Sequence, residues 1–145
     1  MDTAWADQID SRMAEIAESA NRLIRAYWQT AKEQEKRRNW KQWGKLSPRC
    51  RVGKSGRAYL VWCEIKFHTR RDGKTRYKTF NELPKGKSDR YHKSTLRKLA
   101  QSWELEMVME YEDLFASMRR ELGYLMELRK MVVQYEEKNF AFEAA

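Results

Sequence analysis

Arg57-Ala-Tyr-Leu-Val-Trp-Cys-Glu-Ile-Lys-Phe-His68 is rich in β-branched and aromatic residues and carries no helical period. Tyr59, Val61, Cys63, Ile65 and Phe67 alternate along it, the spacing of one face of a strand. Working outward, Gly53-Lys-Ser-Gly56 separates it from Arg49-Cys-Arg-Val52, and Asp72-Gly73 separates it from the run Lys74 to Phe80. Asp-Gly favours the positive backbone dihedrals of a hairpin turn. The expected product is a three-stranded antiparallel meander. Arg49 and Arg51 share one face of its first strand, with Cys50 and Val52 on the other. In its third strand Arg76 and Lys78 alternate with Tyr77 and Thr79. One sheet face is therefore expected to be apolar and the opposite face basic, with Lys66 and His68 at the end of the middle strand.

Beyond the meander the period changes on both sides. Ile9, Met13, Ile16, Ala20, Leu23 and Tyr27 recur every three or four residues, so the spacing predicts a helix from Thr3 to Arg38 with one apolar seam. On the other side, Leu96, Leu99, Trp103, Met107, Tyr111, Leu114, Met118, Leu122, Leu125, Leu128, Val132 and Tyr135 continue the same spacing. This predicts a helix from Ser94, as N-cap, to Lys138, on the order of 60 Å long, with Gly123 as its only weak point. The fold class is α+β: two long helices flanking a small meander. A single domain is expected, with a helical arm over 1–38, the basic meander and loop over 39–93, the long helix over 94–138 and a tail over 139–145. The first arm is too short to cover all of the second helix, so either that helix bends back on itself or a second copy of the chain covers the remainder, and a homodimer is the favoured expectation.

The 145 residues carry 30 Lys and Arg against 21 Asp and Glu, for a formal net charge of +9. Residues 1–35 hold four basic and seven acidic side chains, residues 36–98 hold 21 and four, and residues 99–145 hold five and ten. The positive field therefore belongs to the middle alone. Such a concentrated field recruits polyanions, whereas mixed charge of the kind on the arms suffices for solubility. With 41% hydrophobic and 35% charged residues, the chain is too apolar for a disordered tail and too charged for a membrane protein. No secretory signal is read at its start, and a cytoplasmic protein is expected. Cys50 and Cys63, the two cysteines, read as buried thiols in neighbouring strands.

Catalytic patterns are weak. Gly53-Lys54-Ser55 and Gly86-Lys87-Ser88 lack the earlier glycine of a phosphate loop, whose place is taken by Pro48 and Asn81. His68 and His92 form no metal-binding spacing, and the basic segment has too few carboxylates for a metal-dependent nuclease. No catalytic residue, metal or cofactor is expected. What remains is cations interleaved with aromatics. Arg37, Arg38 and Lys41 end the first arm beside Trp40 and Trp43. Arg49, Arg51, Lys54, Arg57 and Lys66 lie along the first two strands and their turn. Arg70, Arg71, Lys74, Arg76 and Lys78 crowd the second hairpin, and Lys85, Lys87, Arg90 and Lys93 line the loop into the second helix. Together these are candidates to clamp a nucleic-acid backbone from helix end, hairpin and loop. Trp40, Trp43 and Tyr91 can serve either as packing against the sheet or as contacts to nucleic acid.

The alanine-rich helix, Asn39-Trp40-Lys41-Gln42-Trp43-Gly44, the basic meander with Tyr59 and Trp62, Pro84-Lys85-Gly86-Lys87 and Arg90-Tyr91 follow one another in an order that resembles the MobI-like family of conjugative-transfer proteins. That family is found on integrative conjugative elements and large plasmids. The specific motifs lie in residues 39–44 and 84–91. The resemblance implies an accessory factor that recognises double-stranded DNA at the origin of transfer and assists a separate relaxase without cutting DNA itself. Asp89, inside the second motif, is ill suited to a phosphate contact. An RNA-binding or protein-interaction adaptor, working through its long amphipathic helices, is the alternative.

Overall fold

A computed structural model describes residues 4–54 and 56–144. Its elements are α1 (Ala4–Glu35), a 3-10 turn (Trp40–Gln42), β1 (Leu46–Val52), β2 (Ala58–Thr69), β3 (Arg76–Glu82), α2 (Lys93–Leu99) and α3 (Leu105–Ala144). The architecture is α+β, with an antiparallel sheet of order β1-β2-β3 between two long helices. α1 and α3 run antiparallel, joined by Asp10–Arg129 and Arg12–Glu121 ion pairs of 2.7 and 2.6 Å. These are half exposed and screened by solvent, so they add little. The seam beneath them does more. Ile9 meets Val132 in one cluster and Ile16 meets Leu122 in another.

The main core lies where both helices cover the sheet. Tyr27 packs edge-on against Trp62 and Tyr111 at 5.5 and 5.3 Å, and Trp62 against Phe115 at 5.9 Å. Leu46, Leu60, Tyr91, Leu96 and Val108 fill the space around them. Pro48 sits opposite Trp62 in β1, an edge strand, where a missing N–H is tolerated.

Three expectations need correction. First, the second arm is not one helix. α2 stops at Leu99 and α3 starts at Leu105, because the buried Glu104 carboxylate accepts the N–H groups of Gln101 and Lys45 at 2.9 and 2.8 Å. That turn fixes a corner with neither Gly nor Pro in it. Ser94 is not the N-cap; His92 is, with no side-chain cap bond. At the far end the helix continues past Lys138 to Ala144 instead of giving way to a tail.

Second, β2 does not bury the odd-numbered line throughout. Ala58, Leu60 and Trp62 are buried first, then Cys63 and Ile65, so the core-facing parity switches at Trp62–Cys63. β2 pairs with β1 up to Glu64 and with β3 only from Cys63 onward. Each half is thus nearly a two-stranded ribbon, the kind that twists most. Third, the register sets Arg51 opposite Tyr59 and Arg49 opposite Val61, so these arginines share the face expected to be apolar. Cys50 and Cys63 fall on opposite faces and are both free thiols.

Candidate nucleic-acid interface

The segment after α1 is built to hold cations beside the sheet. Asn39 caps the 3-10 turn, its side chain accepting from the Lys41 N–H. Trp43 is structural: its Nε1 donates to the carbonyls of Glu35 and Arg38, and its ring packs 5.9 Å from Phe67. Trp40 is half-buried, and the Arg76 guanidinium lies 3.9 Å from its ring centroid. Through these contacts the helix end and the β2–β3 hairpin form one body carrying Arg37, Lys41, Arg70, Arg71, Lys74 and Arg76, all exposed.

The hairpin tip is rigid. Asp72 accepts the N–H groups of Lys74 and Thr75, both at 2.8 Å, and the Thr75 hydroxyl at 2.6 Å, while Gly73 takes the positive φ the turn requires. Those donors hold the Asp72 carboxyl below its usual range. The tip's one acid is therefore committed to shaping the turn and forms no ion pair with its cationic neighbours among the described residues. Behind the tip, Arg70 sits 5.4 Å from the Tyr77 ring, which stacks on His68 at 5.0 Å. Arg49 lies 3.9 Å over Phe80. Arginines held on aromatic faces keep their donor edges free, a suitable arrangement for phosphate.

A second basic group lies at the other end of β2, where the β1–β2 turn meets the 83–93 loop. Lys54, Lys87 and Lys93 are exposed there, and Arg57 is half-buried. The loop is anchored by charges that sequence reasoning missed. Glu112 and Arg119 of α3 are buried and form a two-pronged pair at 2.9 and 3.0 Å. Glu112 also accepts from Trp62 Nε1 and the Tyr91 N–H, and Arg119 donates to the carbonyls of Leu60 and Asp89. Tyr91 is a core residue: its hydroxyl donates to the Leu83 carbonyl and accepts from the Trp62 N–H. The signal for this network was spacing alone, since 104, 108, 112, 115, 119 and 122 lie on one helical face.

Not every candidate cation is available. Arg51 pairs with Glu82 at 2.8 Å and Arg90 with Asp113 at 2.5 Å. Lys78 lies among Trp28, Trp43 and Phe67, 4.0 Å from Glu35. Lys85 Nζ donates to the carbonyls of Gly86 and Ser88 in its own loop. Arg38 stacks 5.1 Å over Trp103 and donates to Gln34. Lys66 is exposed on the sheet face that carries His68 and Tyr77. The cations thus gather in two groups at opposite ends of β2, a strand of 12 residues that spans at most about 36 Å.

Among the described residues no group of His, Cys, Asp or Glu is placed to hold a metal ion, and no helix is long and apolar enough to cross a membrane. A family model described as MobI protein matches residues 16–133. No curated protein and no solved structure matches the chain.

Proposed function

Because this chain belongs to the MobI protein family, a family of conjugative mobilisation, we propose that it is a non-enzymatic accessory factor that binds double-stranded DNA at the origin of transfer and assists a separate relaxase. The observation that carries this reading is the β2–β3 hairpin, whose exposed Arg70, Arg71, Lys74 and Arg76 extend beyond a turn that has already used its own acid. The first group, at the helix end and hairpin, and the second, at the β1–β2 turn and the 83–93 loop, are spaced by at most about one turn of B-DNA, roughly 34–36 Å. One face of a duplex offers phosphates within that interval. The protein would work as one domain, in the cytoplasm, where such DNA is processed.

A homodimer belongs to the same reading. On α3, Tyr124, Met131 and Tyr135 are strongly exposed and Leu128 is 46% exposed. Their 4-3-4 spacing is a coiled-coil seam; Glu127 beside it is already paired with Lys130 at 3.3 Å, so the apolar side chains would hold a second copy. The adaptor reading draws on the same seam, with a relaxase or another protein in place of the second copy.

Replacing Arg70, Arg71, Lys74 and Arg76 together by alanine tests the proposal. Duplex binding should be lost, the assembly state should be unchanged, and any residual salt dependence should be shallower by about three to four, at roughly 0.9 per phosphate contact removed. Undiminished binding would refute the proposal.

A further inference from the structure

A cavity of about 260 Å³ opens between the β1–β2 turn and the loop before α2, lined by Arg57, Tyr59, Lys85, Gly86, Lys87 and Arg119. Its one acid, Asp89, faces Arg120 at 3.6 Å. Arg119 is immobilised by four hydrogen bonds, so one wall is rigid. On the same lining, the buried Arg57 Nε–H has no acceptor among the described residues, while the same guanidinium lies 5.1 Å from the Tyr59 ring. A buried donor left without a partner is costly. Lys87 is exposed at the rim and makes no hydrogen bond or ion pair among the described residues. Gly86 holds φ at +81° with open space on its Cβ side, so a ligand can approach the backbone.

We propose that this cavity binds one phosphate group, with Arg57 Nε–H and Lys87 Nζ donating to its oxygens, as a site separate from the open hairpin tip. Arg119, with four of its five N–H donors engaged, shapes the pocket and is not a ligand. Burial, with Arg119 and Arg57 nearby, draws the Lys85 ammonium below the usual lysine range, against the raising effect of Asp89 and Glu112. A phosphate would reverse that. Two sources share this chemistry, a strand phosphate of DNA and free phosphate, and the first rests on the DNA-binding reading above.

The side-chain Nε–H resonance of Arg57 in the full chain reports directly. It should move saturably with inorganic phosphate, and not with sodium chloride at matched ionic strength. Arg57→Gln and, separately, Lys87→Ala should each weaken phosphate binding by roughly tenfold, the effect of one hydrogen bond to a charged group. Lys87→Ala removes an exposed side chain and keeps the test valid if Arg57→Gln unfolds. A duplex should move the same resonance, and Lys87→Ala should weaken that duplex. If the resonance responds to phosphate while no duplex binds, the pocket stands and the DNA reading falls. If the duplex binds, Arg71→Ala weakens it and neither pocket variant does, the DNA reading stands and the pocket is a site for free phosphate only. A resonance unmoved by both, or moved equally by chloride, overturns the site.

Discussion

The Arg76 guanidinium lies 3.9 Å from the Trp40 ring centroid, joining the turn after α1 to β3, a strand that starts 36 residues later. It is the outermost of several contacts between these segments; Trp43 on Phe67 and Lys78 near Glu35 lie behind it. The basic end of the helix therefore moves with the hairpin. Trp40→Ala removes the platform and leaves the deeper contacts in place. Stability should fall by about 1–3 kcal/mol, because the half-buried ring loses apolar contact as well as its cation–π pair, while duplex affinity falls several-fold. Urea denaturation and anisotropy titration on the same sample check both halves.

The Glu112–Arg119 pair responds differently, because both side chains are buried and bonded to Trp62, Tyr91, Leu60 and Asp89. Arg119→Met leaves a buried carboxylate without its partner and should cost about 3–5 kcal/mol. The double change Glu112→Leu with Arg119→Met should cost less than the sum of the single changes. Strictly additive losses in denaturant midpoints would contradict the network.

Glu104 gives the pH dependence a sign. Burial is the largest influence on its carboxyl and raises it above the usual carboxylate range, against the lowering effect of the N–H groups it accepts. An acid whose folded value is raised binds its proton more tightly in the folded chain. Its contribution is fully present below the unfolded carboxylate value and declines as pH rises through that value to the folded one. Glu104→Gln keeps an acceptor for Lys45 and Gln101 and should stabilise the protein at pH 7 while changing little near pH 3. Thermal unfolding at both pH values decides this; a variant less stable at pH 7 than the parent would contradict it. Glu104→Ala should instead cost about 2–4 kcal/mol, since two buried N–H groups lose their acceptor.

The seam on α3 gives a further expectation. Leu128→Lys with Met131→Lys introduces charge on an exposed face and should leave the monomer's stability within about 0.5 kcal/mol. In sedimentation velocity the parent should run as a dimer and the variant as a monomer. A parent that is monomeric at high concentration would remove the homodimer from the proposal.

Much of the architecture was legible because it rests on period. The α1 seam was read from Ile9, Ile16, Ala20 and Tyr27, all of which are buried. The meander followed from alternation and Asp72-Gly73. The face of α3 was misread for a physical reason. Its buried stripe includes Glu104, Glu112 and Arg119, charged residues that an apolar reading skips. The line was therefore drawn one residue away, through Met107, Tyr111 and Leu114, until the two readings meet at Leu122; Leu114 is 47% exposed and Phe115 is buried. The break before α3 was illegible for the same reason, since it is made by a carboxylate reaching back to Lys45.

The candidate interface was legible as charge but not as availability. Composition shows 21 cations in the middle segment. It does not show that Glu35, Glu82 and Asp113 engage Lys78, Arg51 and Arg90, because those pairings depend on elements far apart in the chain. The division into two groups at the ends of β2 also follows from strand length and pairing and not from local sequence.

The most direct test of DNA recognition is fluorescence anisotropy with the origin-of-transfer duplex of the element that encodes this chain. A scrambled duplex and a matched RNA run beside it, each at about 50 and 200 mM salt, a range over which six to ten phosphate contacts cost about 10³–10⁵ in affinity. The expected result is preferential binding to the cognate duplex that persists at the higher salt. Equal, salt-labile binding to all three would contradict site-specific recognition and leave the α3 seam as the functional surface.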